Sequence, residues 1–548
     1  MEEEGKTNKQ IVQNNQAFVS HEGVVLLGIP IGTKKFILDF VIQSLKEKTN
    51  ACKRLVELPT QIAYHMLRLV IAPTPVFLVR ALGDDFDLFR EWDRKIEREV
   101  FRLANQMHDY ITFKGMQDDR ISKGDLEELL QGQERDKKVK LITPHSKLNF
   151  QIAESLIYLS SREGGLGVML TERMAKEAFL ASSINSLAML NSRAIDHILS
   201  EKTKLLIKNN LEIMEESNPI LTAKLKEDSF DKISPEETQG LQRTLTLAAQ
   251  GKMKAQVEDT LKKEEQVKRL APLFEDHQGD HANRVLIKPP TLTKTYVIND
   301  DDMQEIISQT LLLPNDLGIK SCKPKSKSMD GHQCIEANHM NACSFTGGVG
   351  TRHTQAKHSL EKILRICGIG IKNEQLMAEQ GKSFRADIYV NKPEQPVLID
   401  VTCVQTSQNH KTLAKAMDDA YERKVNTYNS MEESCKLRKE FKEGVKLIPV
   451  VIGPRGQFQK KSWQDLTQLL GIESAKASRQ ESMGVAPILR NSLDPEKASL
   501  AISLLKALAF RVAVNTANNA RKWQALQRER WNQNERASRV TIERPKRG

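Results

Sequence analysis

Phe384-Arg385-Ala386-Asp387-Ile388-Tyr389-Val390 and, after a short tract, Val397-Leu398-Ile399-Asp400-Val401-Thr402 decide how this chain is read. Both runs alternate apolar and polar residues, the period-2 pattern of half-buried strands. Between them lies Asn391-Lys392-Pro393-Glu394-Gln395-Pro396, whose two prolines cannot continue a paired strand and so mark a turn. A hairpin folded about the Pro393–Glu394 bond sets residues whose numbers sum to 787 opposite one another. Asp387 and Asp400 then face each other across the strands, with Cβ atoms about 4.5–5.5 Å apart. Facing carboxylates repel unless a cation lies between them, and hard oxygen ligands suit Mg²⁺. This pattern points to metal-dependent phosphodiester chemistry. The plain alternative is two strand-edge aspartates turned to solvent.

The chain has 548 residues, enough for roughly three domains. Its apolar fraction of 39% supports real cores. A net charge of +11 favours a polyanionic partner, nucleic acid or an acidic membrane surface. From Asn519 to Gly548 nine Lys/Arg stand against three Asp/Glu, so much of the excess is terminal. The apolar run near Leu69–Val79 is interrupted by Pro73 and Pro75 and reads as too short to cross a membrane. Seven cysteines do not form the pattern of a disulfide framework. Five of them, Cys322, Cys334, Cys343, Cys367 and Cys403, crowd into one region and suggest metal chemistry there.

The expected fold is a multidomain α+β protein, mainly helical in its N-terminal half and α/β towards its C-terminus. Six segments follow from composition: a polar start (1–20), a helical region (21–195), a charged helical spacer (196–288), a helix with the Cys/His region (289–350), an α/β domain (351–472), and C-terminal helices with a basic tail (473–548). Val24–Gly32 reads as a buried strand ending in a Gly/Pro turn. Helices are expected at 85–112, 121–134, 146–161 and 172–193, then at 354–367 and 409–431. An apolar strand over Val445–Ile452 and a long helix or helix pair over 494–532 complete the list.

Taken in order, Leu27-Gly28-Ile29-Pro30-Ile31-Gly32, Gln61-Ile62-Ala63-Tyr64 with Leu67-Arg68, Gly164-Gly165-Leu166-Gly167, the Pro289-Pro290 to Leu313 stretch, the Cys/His cluster, Arg352-His353 and the Asp387/Asp400 pair resemble the C-terminal half of a non-LTR retrotransposon polyprotein. In that family a reverse-transcriptase primer grip and helical thumb are followed by a restriction-enzyme-like endonuclease. The resemblance covers most of the chain. It implies a thumb-like domain over 21–195 and a PD-(D/E)xK-type nuclease over 351–472. The polymerase motifs that bind metal and nucleotide would lie upstream of the primer grip, so no polymerase activity is expected of this chain. Gly83-Asp84-Asp85 falls after that block and reads as a helix cap or surface feature.

The same resemblance implies that Asp387 and Asp400, with the carbonyl of Val401, hold Mg²⁺ or Mn²⁺. The lysine expected at position 402 is Thr402, and the family places a lysine on the next helix. There Leu413, Met417, Ala420, Tyr421, Lys424 and Tyr428 share a face by helical spacing, while Lys411, Lys415, Asp418 and Glu422 lie on another. A lysine within an apolar stripe is the odd member, so Lys424 is the candidate cation, with Tyr428 one turn on. Glu361, on the preceding helix, matches an acidic residue that completes the metal shell in some relatives.

Cys322, Cys334, His339 and Cys343 resemble the family's CCHC zinc knuckle, though its first cysteine pair is missing: residues 323–326 are Lys-Pro-Lys-Ser. Such a set can hold tetrahedral Zn²⁺ if the loop folds back. Arg352 and His353 match a family Arg-His pair suited to a phosphate. In the tail, Arg521, Lys522 and Arg528 interleave with Trp523 and Trp531, a pattern for phosphate contact and base stacking. The expected function is therefore nicking of a DNA target in the nucleus to prime reverse transcription. DNA and the element's RNA are the expected partners, and an intact reverse-transcriptase copy supplies the polymerase. The alternatives are a catalytically inactive nucleic-acid-binding remnant and a junction-resolving nuclease of the same fold.

Overall fold

The structure is a computed structural model that describes residues 22–82, 87–107, 110, 144–193, 201–227, 230–279, 282–290, 296–313, 348–376, 385–391, 396–404, 412–429, 446–472 and 495–542. It is mostly helical with a small mixed sheet, an α+β combination. The chain forms two compact units. One comprises Met1–Leu58, Met66–Glu99 and Val168–Lys252; the other comprises Pro59–His65, Val100–Gly167 and Met253–Gly548.

In the first unit, strands β1 (Gly23–Leu26) and β2 (Ile29–Gly32) pair antiparallel. The expected buried strand is thus a hairpin: Leu27 and Gly28 both take positive φ, 51° and 82°, which reverses the chain within two residues. Val24, Val25, Leu26 and Ile31 are exposed and Leu27 is so by 93%, while Pro30 is buried. Helix α1 (Lys34–Arg54) follows and is N-capped by the Thr33 hydroxyl, which accepts the N–H of Phe36. Helix α2 (Asp87–Leu103) sends Asp93 to the start of helix α3 (Thr171–Ser192). The two Asp93 oxygens accept the N–H groups of Thr171 and Glu172, each at 2.7 Å. The residue preceding α3 is Leu170, which cannot cap, so the carboxylate from a neighbouring helix does. Leu180, Ile184 and Leu187 of α3 form a core with Ile207, Met214, Leu221, Phe230 and Leu245.

The second unit holds helix α4 (Asp300–Thr310), capped by Asn299, and helix α5 (Gly348–Ile366) ahead of a four-stranded sheet. The strands are β3 (Ile371–Leu376), β4 (Arg385–Val390), β5 (Val397–Cys403) and β6 (Lys446–Ile452), in spatial order β3-β4-β5-β6. β3–β4 and β4–β5 are antiparallel; β5–β6 is parallel, joined through helix α6 (Leu413–Asn429). A parallel neighbour requires such a crossover. The β4–β5 register is Ile388↔Ile399, Tyr389↔Leu398 and Val390↔Val397, the one expected from the sequence.

Alternation then separates the two faces. Ile388, Val390, Val397, Ile399, Val401, Ile448, Val450 and Ile452 join Leu360 and Leu364 of α5. Leu466 of helix α7 (Lys460–Leu469) and Leu505, Leu508 and Val512 of helix α8 (Pro495–Ile542) complete that core. On the other face Val451 packs with Leu413, Met417, Ala420 and Tyr421 of α6. At the outer edge of β6, the Val451 N–H donates to Ser462 Oγ at 3.1 Å, whose own hydroxyl donates to the Pro449 carbonyl at 2.7 Å. The Gln459 N–H donates to the Val451 carbonyl at 3.0 Å.

Two stretches, Thr60–Leu82 and Lys497–Lys522, are long and apolar enough to cross a membrane, and 56% of each apolar window is buried within the protein. The first is longer than the run read around Leu69–Val79, because Thr60–Met66 is helical and continues directly into a π-turn over Leu67–Ile71. Position 402 is threonine at the partly buried end of β5.

Candidate active site

The β4–β5 ladder ends at the pair Ile388↔Ile399, and Asp387 and Asp400 are the next residues along it. Beyond that point a side chain replaces the main-chain link: Asp387 Oδ2 accepts the Val401 N–H at 2.8 Å. The imidazole of His353, on α5, reaches the same place. Its Nε2 lies 3.2 Å from Asp387 Oδ2 and 3.0 Å from the Val401 carbonyl oxygen. On the other carboxylate, Lys424 Nζ of α6 donates to Asp400 Oδ2 at 2.9 Å, and the Tyr428 hydroxyl lies 3.4 Å from the same oxygen.

The two carboxylates are electrostatically unlike. Burial pushes Asp400 above the usual carboxylate range, and the charge of Asp387 adds to this, against the opposing pull of Lys424 and Tyr428. Burial also acts on Asp387, but the His353 hydrogen bond, the Val401 N–H and the nearby charges of His353 and Lys357 outweigh it and hold the carboxyl low. His353 is correspondingly raised, chiefly by its hydrogen bond to Asp387.

Helix α6 presents its stripe as the spacing implies: Leu413, Met417, Ala420, Tyr421 and Tyr428 are buried and Lys424 is half-buried. Lys415 and Glu422 are exposed. Glu361 is buried on α5, where its Oε2 lies 3.1 Å from His358 Nδ1, and its buried Oε1 has no hydrogen-bond partner among the described residues. Among the described residues no group of three or more His, Cys, Asp or Glu side chains is arranged to hold a metal ion. The oxygens suited to a hard cation here are those of Asp387, Asp400 and the Val401 carbonyl, and Mg²⁺ or Mn²⁺ is chemically suited to them.

The Arg-His pair divides. Arg352 is 2% exposed and its Nη1 donates to Thr516 Oγ1 of α8 at 3.1 Å, so it braces two helices inside the protein. Arg521 pairs with Asp301 at 2.5 Å and with Asp302 at 2.9 Å, at the acidic start of α4, while Lys522 is exposed. Trp523, Arg528 and Trp531 lie on the α8 backbone, and their side chains are outside the described residues. Cys322, Cys334, His339, Cys343, Gly83-Asp84-Asp85, the first twenty residues and the turn at Pro393–Glu394 lie outside the described residues altogether.

Lys357 was not expected at the site. It is 7% exposed on α5 and its charge acts on Asp387. His353, Lys357 and Glu361 recur every four residues beside the core positions Ala356, Leu360 and Leu364. Charged groups at helical spacing next to an apolar stripe are the signal that finds it. No family model matches the chain, and no curated protein matches it either.

Proposed function

We propose that the chain is a metal-dependent DNA endonuclease that hydrolyses one phosphodiester at a time, leaving a nick. The observation that carries this reading is the Lys424–Asp400 contact at 2.9 Å beside a second carboxylate one strand away. Asp387, Asp400 and the Val401 carbonyl would hold Mg²⁺ or Mn²⁺, which when bound supplies an activated water and charge stabilisation at the phosphate. Lys424 opposes the burial that raises Asp400, and its ammonium is the group able to meet negative charge developing on the phosphoryl oxygens. Tyr428 directs its hydroxyl to the same Asp400 oxygen and so orients that carboxylate. The Val401 N–H fixes the rotamer of Asp387, joined by His353 before the ion is bound.

The resemblance to restriction-like nucleases of non-LTR retrotransposons supports a DNA target, the element's RNA as second partner, an intact reverse-transcriptase copy as supplier of polymerase activity, and action in the nucleus. The net charge of +11 agrees with a polyanionic substrate. Conversion of supercoiled plasmid to open circle in Mg²⁺, with Asp387→Ala as control, tests the proposal; cleavage retained in that variant refutes it.

A second reading, a nucleic-acid-binding remnant without catalysis, is favoured by Thr402 in place of lysine and by the imidazole lying on Asp387. Plasmid binding without nicking in any divalent ion would establish it.

A further inference from the structure

Two distances fix one imidazole nitrogen. His353 Nε2 is 3.2 Å from Asp387 Oδ2 and 3.0 Å from the Val401 carbonyl oxygen. Both neighbours are acceptors, so this nitrogen carries a proton and donates it. These are two of the three oxygens assigned above to the divalent ion. An ion bound to them lies at about 2.0–2.2 Å from each, in the space that the N–H now fills. Ring and ion exclude one another.

The surroundings allow the exchange. The backbone of α5 is held by Ala356, Leu360 and Leu364 in the core, so the helix itself is anchored. The His353 side chain is 39% exposed, which leaves a solvent flank into which the ring can turn. Asp387 does not depend on the imidazole alone, because the Val401 N–H holds the same oxygen at 2.8 Å.

We infer that His353 is a placeholder for the divalent cation: its N–H keeps the Asp387 and Val401 oxygens converged, and it turns out to solvent when the ion enters. The inference rests on the endonuclease reading, since it presumes a cation site at Asp387. His353 is thus a positioning residue, and its removal makes ion binding easier.

Mn²⁺ binding to the full chain, followed by electron paramagnetic resonance, tests this in wild type, His353→Ala and Asp387→Ala. Removing one competing hydrogen-bond donor predicts that His353→Ala binds about three- to tenfold tighter than wild type. Equal or weaker binding by His353→Ala, with wild-type binding that Asp387→Ala abolishes, overturns the placeholder and leaves the cation site standing. Binding unchanged in Asp387→Ala, or absent from both wild type and His353→Ala, overturns the site and the inference together. Should His353→Ala not fold, Mg²⁺ titration of wild type followed by the ring ¹⁵N signals decides: loss of the His353 hydrogen bond with saturating ion supports the exchange, and unmoved signals refute it.

Discussion

Asp387 Oδ2 accepts the backbone N–H of Val401 at 2.8 Å, so the carboxylate of one strand is tied to the residue that follows the facing carboxylate on the next. The geometry around each acid therefore depends on the other strand. A substitution at either position is felt at both.

Asp387→Ala and Asp400→Ala should each lower nicking by roughly a thousandfold or more, with circular dichroism and DNA affinity near wild type. A plasmid assay with parallel gel-shift measurements checks this. Lys424→Ala should lower the rate by roughly a hundred- to a thousandfold, the cost of losing one preorganised charge-stabilising group.

Lys424→Met should destabilise the protein by about 1–3 kcal/mol, since it leaves a buried Asp400 without its cation. Lys424 is itself partly solvated, so the lower half of that range is expected. Adding Asp400→Asn removes the uncompensated charge and should restore most of the loss. Urea unfolding of the two single variants and the double variant measures the coupling.

The His353–Asp387 pair should confer stability in a definite pH window. His353 is raised in the folded state, so its contribution is complete below its unfolded value of about 6.5 and is lost as pH rises through the folded one. Asp387 is lowered, so its contribution is present above about 3.9 and is lost as pH falls through the folded value. The Tm difference between wild type and His353→Ala should be widest near pH 5–6 and narrower at pH 8.

Asp93→Ala should cost about 1–3 kcal/mol, because the N–H groups of Thr171 and Glu172 lose their acceptors. Burial pushes the Asp93 carboxyl up to about 7. The folded state then binds more protons than the unfolded one between about 3.9 and 7, and this group favours folding less as pH rises through that range. Thermal melts of both proteins at pH 5 and 8 should show a smaller difference at the higher pH.

Gly165→Ala should destabilise by roughly 3 kcal/mol or more, since its new Cβ would press on the backbone carbonyls of Leu159 and Leu156, which already accept the turn's N–H groups. Gly251→Ala, on a helix with open space around it, should instead stabilise by about 0.5–1 kcal/mol. Melting temperatures of the two variants should move in opposite directions.

The β4–β5 register was legible because alternation and two prolines leave little choice: a one-residue slip would turn Ile388, Val390, Val397 and Ile399 out of the core. The inward side of α6 was legible for the same kind of reason, since Lys424 interrupts an apolar stripe. Strand β3 was not, because Lys372, Asn373, Glu374 and Gln375 carry no apolar alternation and only pairing with β4 makes them a strand. The β1–β2 reversal was hidden inside an apolar run where Gly28 is the sole compositional mark of the two-residue turn and the positive φ of Leu27 has none. His353 was seen as a phosphate contact and Lys357 was passed over, because what each touches depends on chain brought from 34 and 30 residues away, at Asp387.

The Ser462 and Gln459 contacts along β6 have a bearing on self-association. The main-chain groups of Val451 and the Pro449 carbonyl are already spoken for, and Pro449 has no N–H to offer, so a foreign strand finds no template on that flank. Among the described residues the other border of the sheet is β3, which is short and carries lysine at 372. Among the described strands, Ile371–Leu376 is therefore the one expected to begin fibril growth if heat or acid forces it.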